Sequence, residues 1–93
     1  MKFMANSRIA EGVTAEQLGQ FFDDSSVSSS AWELVRHRVV TDYAFKVGDT
    51  PGVVLFLEVD SAEDASRILK DLPAVQHGLI TFELDPLHRF MHL

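Results

Sequence analysis

The segment Val53–Val59 constrains the fold of this chain more than any other, because every position except Glu58 is apolar. Turn-forming residues at 48–52 precede it, and an alternating stretch, 39–47, comes before them. Together they predict a β-hairpin within residues 39–60. A strand that is apolar on both faces cannot meet water on either side. The hairpin therefore predicts a sheet that is covered on both faces.

The rest of the chain adds a strand and a helix on either side of this hairpin. Residues 2–9 predict a strand, and Thr14 is the expected N-cap of the first helix, with Gln17 completing a capping box. Ser61 is the expected N-cap of the second helix, and residues 79–85 predict the last strand. The order βαββαβ predicts an α+β, ferredoxin-like fold, with strands one and three central and both helices on one face of a four-stranded antiparallel sheet.

Two stretches are harder to assign. The serine-rich segment 25–30 disfavours a helix, because serine hydroxyls compete for backbone hydrogen bonds. A break around residues 23–25 with a new start near Ser30 is favoured, and one long helix with a weak centre is the alternative. Pro73 is expected to end the second helix, which leaves residues 74–78 as a connector.

Strict alternation divides the first hairpin strand between two faces. One predicted face carries Val39, Thr41, Tyr43, Phe45 and Val47. The other carries Val40, Asp42, Ala44 and Lys46.

Composition excludes several classes of protein. The 93 residues fit a single domain, residues 1–93, and the absence of cysteine excludes disulfides and thiolate metal sites. A net charge of −6 argues against a nucleic-acid partner, since phosphate binding needs clustered basic residues. The polar N-terminus and the lack of a long apolar run predict neither a secretory leader nor a membrane partner, so a cytoplasmic location is expected.

The predicted fold leaves one sheet face without a cover. Two amphipathic helices are enough for one face only, and an exposed apolar face of this size is an interaction surface. A second copy of the chain, packed sheet against sheet by two-fold symmetry, is the simplest cover. We therefore expect a homodimer.

Two segments carry a resemblance to a known family. They are PGVVLFLEVDSAEDA, residues 51–65, and LPAVQHGLITFELDPLHRF, residues 72–90. Both resemble the dimeric α/β barrel superfamily, and most of all its small stand-alone members related to the YCII and muconolactone isomerase families. The matching residues are mainly structural: Gly52, Leu72, Pro73, Gly78, Pro86 and Leu87. The resemblance implies a homodimer with a pocket between sheet and helices.

The activities in that superfamily differ widely, so the fold does not choose among them. In YCII-type proteins a histidine in the first helical region pairs with an aspartate, but no histidine lies between Thr14 and Arg36 here. The haem-degrading branch surrounds haem with asparagine, tryptophan and histidine. Asn6 and His77 resemble that set, but the only tryptophan, Trp32, lies on the first helix rather than the second.

No metal site and no cofactor are predicted. His88 and His92 have a helical spacing, but they follow Pro86 in a tail, and no carboxylate clearly joins them.

The candidate catalytic residues are His37 and Glu83, because a small-molecule rearrangement needs a base at the pocket rim. The candidate ligand-binding residues are Arg8, Trp32, Tyr43 and His77. Alternatively, Glu83 faces the partner sheet and pairs with a cation such as Arg8. The predicted function is small-molecule binding by a homodimer, with muconolactone-isomerase-like or cofactor-free isomerase or oxygenase activity. A non-catalytic dimeric sensor or accessory module is the alternative, and haem degradation is a third, weaker one.

Overall fold

The computed structural model describes residues 1–22 and 25–88 and has the predicted order of elements. In chain order they are β1 (Lys2–Ile9), α1 (Ala15–Phe22), α2 (Ser25–Arg36), β2 (Val40–Lys46), β3 (Gly52–Glu58), α3 (Ala62–Lys70), α4 (Pro73–Gln76) and β4 (Ile80–Leu87). The strands form one antiparallel sheet in the order β2-β3-β1-β4, so β1 and β3 are central as predicted. The fold is ferredoxin-like α+β. None of the helices in the described ranges is long and apolar enough to cross a membrane.

The main core lies between the central strands and α3. Phe3 of β1 and Leu57 of β3 are cross-strand partners, and both are fully buried. Ala65 and Leu69, one turn apart on α3, pack in the same cluster. A smaller cluster joins α1 and α4 to β4 through Leu18, Ala74 and Ile80. The helices therefore form one layer over one face of the sheet.

Both predicted N-caps are confirmed. Thr14 Oγ1 accepts a hydrogen bond from the Gln17 backbone N–H at 3.1 Å, and Gln17 Oε1 accepts from the Thr14 N–H at 2.9 Å. This reciprocal pair is the capping box, and it fixes where α1 begins. Ser61 Oγ accepts from the Asp64 N–H at 3.1 Å and starts α3.

Two segments are more helical than their sequence predicts. Helix α2 begins at Ser25 instead of near Ser30, because its later turns pack Leu34 and Val35 against the core, and packing outweighs weak propensity. Residues 74–76 belong to α4, and Pro73 is its first residue. Proline is favourable there because the N–H at that position has no partner within the helix. The predicted break at residues 23–24 and the tail at 89–93 lie outside the described residues.

A β-bulge in β2 changes which residues of that strand face the core. The pairing register shifts between Val40 and Asp42, so Thr41 is an extra residue. Val40 is buried in the main core and lies on the side of Tyr43. Strict alternation placed Val40 on the same face as Asp42, and this was wrong. One inserted residue puts the residues before it and those after it out of phase, so Val40 and Asp42 point to opposite faces.

The second face of the sheet has no described helix packed on it, and we call it the open face. From the pairing register, its residues include Met4, Asn6, Arg8, Val54, Phe56 and Glu83. Its centre is apolar, since Met4 pairs with Phe56 across the central strands and both are only partly buried. In the single chain this apolar centre stays partly in contact with water.

Candidate functional site

A cavity of about 510 Å³ lies between the sheet and the helical layer. Helices α1, α2 and α4 form one wall, and β2, β3 and β4 form the other. The lining is mostly apolar and includes Leu18, Ala31, Leu34, Val53, Leu55 and Phe82. A volume and lining of this kind suit a small organic ligand.

Three aromatic side chains form one side of the cavity, and we call them the aromatic edge. Trp32 of α2 packs edge-to-face on Tyr43 of β2, with ring centroids 5.7 Å apart. Tyr43 makes a similar contact with Phe45 at 5.9 Å. Trp32 is 50% exposed and Phe45 74% exposed, so the aromatic edge meets both the cavity and water. It therefore forms the mouth of the cavity rather than its floor.

Lys46 is the only charged residue of the cavity wall in the part of the chain that the structure describes. Its Nζ donates a hydrogen bond to the backbone carbonyl oxygen of Ser7 at 2.7 Å. Ser7 is 2% exposed, and its Oγ accepts from the backbone N–H of Val53 at 2.8 Å. Gly52 leaves room for this arrangement, since a Cβ there would lie 2.9 Å from Ser7 Oγ and 3.1 Å from Lys46 Cδ. These contacts fix the Lys46 side chain in the cavity wall, with its ammonium bonded to β1.

The structure divides three predicted ligand-binding residues, Arg8, Trp32 and Tyr43, and the predicted catalytic residue Glu83 between the two faces of the sheet. Trp32 and Tyr43 line the cavity. Arg8 and Glu83 lie on the open face, where Arg8 donates from Nε at 3.1 Å and from a terminal nitrogen at 2.7 Å to one oxygen of Glu83. This is the pairing that the alternative interpretation of Glu83 expected. The two residues do not line the cavity with Trp32 and Tyr43.

The two candidate histidines lie away from the cavity wall. His37 follows α2, and its Nε2 is 3.3 Å from a Glu33 carboxylate oxygen. His77 ends α4, is exposed, and stacks at an angle on Phe21 with ring centroids 5.1 Å apart. Their predicted roles in catalysis and ligand binding stay predictions.

The residues resembling a haem site are not brought together either. Asn6 lies on the open face, where its Oδ1 is buried without a hydrogen-bond partner among the described residues, whereas Trp32 lies at the cavity. Within residues 1–22 and 25–88, no group of three or more His, Cys, Asp or Glu side chains could hold a metal ion. His92 lies outside these ranges.

Sequence reasoning missed Lys46, because alternation placed it on the face opposite Tyr43. The available signal was the glycine across the hairpin: Lys46 pairs with Gly52, which has no side chain. The lysine stem lies along that gap, and the long side chain thereby becomes part of the cavity wall.

Comparison with known proteins supports the fold. No protein-family model matches the chain, and neither does any curated protein sequence. Among solved structures, the chain is similar to 5-chloro-2-hydroxyhydroquinone dehydrochlorinase (TftG) from Burkholderia phenoliruptrix, in a complex with 2,5-dihydroxybenzoquinone. The TM-score is 0.72 at 15% identity, over 95% of this chain and 94% of that one. This similarity shows the ferredoxin-like fold.

Proposed function

We propose that the chain binds a small cyclic organic molecule in the cavity between the sheet and the helical layer. The observation that carries this proposal is the cavity itself, about 510 Å³ in volume, with an apolar lining and an aromatic edge at its mouth. Well-packed domains have few voids larger than a water molecule, so an opening of this size in so small a domain calls for an occupant.

The chemistry of the wall suits a flat ring with polar substituents. Leu34, Leu55 and Phe82 offer apolar surface to the faces of a ring. The hydroxyl of Tyr43 and the indole N–H of Trp32 are the polar handles of the aromatic edge. The dehydrochlorinase of the same fold has such a ring, 2,5-dihydroxybenzoquinone, in its structure.

Gly19 of α1 allows a direct test, because it lines the cavity and an added Cβ would meet nothing within 4 Å. Gly19→Phe should fill the cavity and weaken ring binding by at least roughly tenfold. Gly19→Ala, the matched control, should leave binding unchanged and stabilise α1 by about 0.5–1 kcal/mol.

The measurement is isothermal titration calorimetry with 2-naphthamide, a neutral ring, and with 2,5-dihydroxybenzoquinone. Far-UV circular dichroism would establish that both variants are folded. If neither compound binds the unaltered chain, or if Gly19→Phe binds as well as Gly19→Ala, the proposed function is wrong.

Whether the ligand is also transformed is a separate question. Isomerisation or cofactor-free oxygenation needs an acid or base at the ligand, and His37 and Glu83 are the predicted candidates. The described wall of the cavity contains no histidine, aspartate or glutamate, and its proton-carrying side chains are Tyr43 and Lys46. A sensor or accessory module that binds without turnover is the alternative. Chromatography of the bound ring after long incubation would reveal a product if the chain is an enzyme.

We further propose that two copies associate through their open faces. The apolar pair of Met4 and Phe56, only partly buried at the centre of the sheet, supports this assembly. Around that centre, the Arg8–Glu83 pair provides the polar rim that protein interfaces commonly have.

A further inference from the structure

We infer that the ligand of this cavity is an anion, a ring bearing a carboxylate or an ionised ring hydroxyl, and that Lys46 selects it. The inference rests on the proposed function and adds the charge of the ligand to it. The basis is one charged side chain, Lys46, in a wall whose other described residues are uncharged.

Lys46 differs from the other cations of the described chain in its burial. Lys2, Arg8, Arg36, Arg38, Arg67 and Lys70 are exposed, whereas Lys46 is partly buried. A charge that is partly removed from water is costly unless it is paired. The chain has 14 acidic and 8 basic residues, so carboxylates are plentiful, yet no described carboxylate pairs with Lys46.

The hydrogen bonding of the ammonium also leaves it open to a ligand. An ammonium has three N–H donors, and within the described residues Lys46 uses one of them, toward the Ser7 carbonyl oxygen. That bond and the gap at Gly52 fix the stem, so little side-chain freedom is lost when an anion binds. In apolar surroundings an ion pair is stronger than in water, which favours an anionic ring over its neutral counterpart.

A purely structural role for Lys46 is the competing explanation, since its bond to Ser7 also joins β2 to β1.

A matched ligand pair distinguishes a structural role of Lys46 from a role in binding an anion: 2-naphthoate and 2-naphthamide have nearly the same shape and differ in charge. The unaltered chain should bind the naphthoate more tightly. Lys46→Met, which keeps the apolar stem, should lose roughly tenfold to hundredfold in naphthoate affinity, the effect expected from one charge-assisted hydrogen bond. Its affinity for the naphthamide should change less than threefold.

Lys70→Met is the control, because Lys70 is an exposed lysine of α3 outside the cavity wall, and it should bind both compounds as the unaltered chain does. Equal affinity of the unaltered chain for both compounds would overturn the inference and leave the proposed function standing. Equal losses for both compounds in Lys46→Met would assign the lysine a structural role and also overturn it. If neither naphthalene compound nor 2,5-dihydroxybenzoquinone binds, the proposed function itself fails.

Discussion

Arg38, the second residue after the end of α2, has a backbone conformation that favours glycine, with a φ of 61°. Its N–H donates to the Val35 carbonyl oxygen at 3.1 Å, and the Val39 N–H donates to the Leu34 carbonyl oxygen at 3.0 Å. These two bonds form a Schellman motif, which turns the chain from α2 into β2. A non-glycine residue in this conformation costs about 1–2 kcal/mol. The strained residue therefore lies in the turn that places β2 and its aromatic residues beside α2.

Arg38→Gly should therefore stabilise the protein. Relief of the left-handed conformation exceeds the entropy cost of glycine, and we expect a net gain of about 0.5–1 kcal/mol in the free energy of unfolding. Arg38→Ala is the control, since alanine removes the long side chain but keeps the Cβ. Urea denaturation of both variants measures the difference. Equal stabilities of the glycine and alanine variants would show that the backbone conformation is not the cause.

At the scale of elements, the start of β3 is fixed by the absence of a side chain at Gly52. Gly52→Ala would press a methyl group against the buried Ser7 hydroxyl and the Lys46 stem. Overpacking costs about 1–3 kcal/mol, and the smaller entropic gain of alanine offsets part of it. We expect a net loss of about 1 kcal/mol in stability, measured by urea denaturation.

A double-mutant cycle with Ser7→Ala identifies the cause of that loss. The close contact at 2.9 Å is with Ser7 Oγ, so removing the hydroxyl should remove most of the penalty for Gly52→Ala. Ser7→Ala also leaves the Val53 N–H without its acceptor. This cost is the same in Ser7→Ala and in the double mutant with Gly52→Ala, so it cancels when their stabilities are compared. A penalty that persists in the Ser7→Ala background would exclude the hydroxyl as its source.

The order of elements could be predicted from the sequence, whereas the site could be predicted only in part. Apolar periodicity and the caps at Thr14 and Ser61 determine where helices and strands occur, because these signals are local. The bulge at Thr41 and the path of Lys46 depend on the strand across the hairpin, so the alternation within β2 alone predicts neither. Trp32 and Tyr43, proposed from their amphipathic rings, line the cavity, and their role in ligand binding stays a prediction.

At the scale of the whole molecule, the strand β3 still has one face without a complete cover. Its residues Val53, Leu55 and Leu57 face the helical layer, and Val54 and Phe56 lie on the open face. A domain of this size buries a modest fraction of its unfolded surface, so covering the open face would add a large share of its apolar burial. The association proposed above is therefore also a source of stability, and unfolding should depend on protein concentration.

Phe56→Lys tests this association at its centre. Light scattering on the unaltered chain should give twice the chain mass of 10.4 kDa, and the variant should give the single-chain mass, because a lysine ammonium cannot be buried there without a partner. Gln20→Lys adds the same charge on an exposed position of α1 and should stay dimeric. Since Phe56 is only partly buried in one chain, the variant should keep its far-UV circular dichroism spectrum. A single-chain mass for the unaltered protein at micromolar concentration would refute the dimer. A folded Phe56→Lys variant that is still dimeric would show that the interface does not lie on the open face.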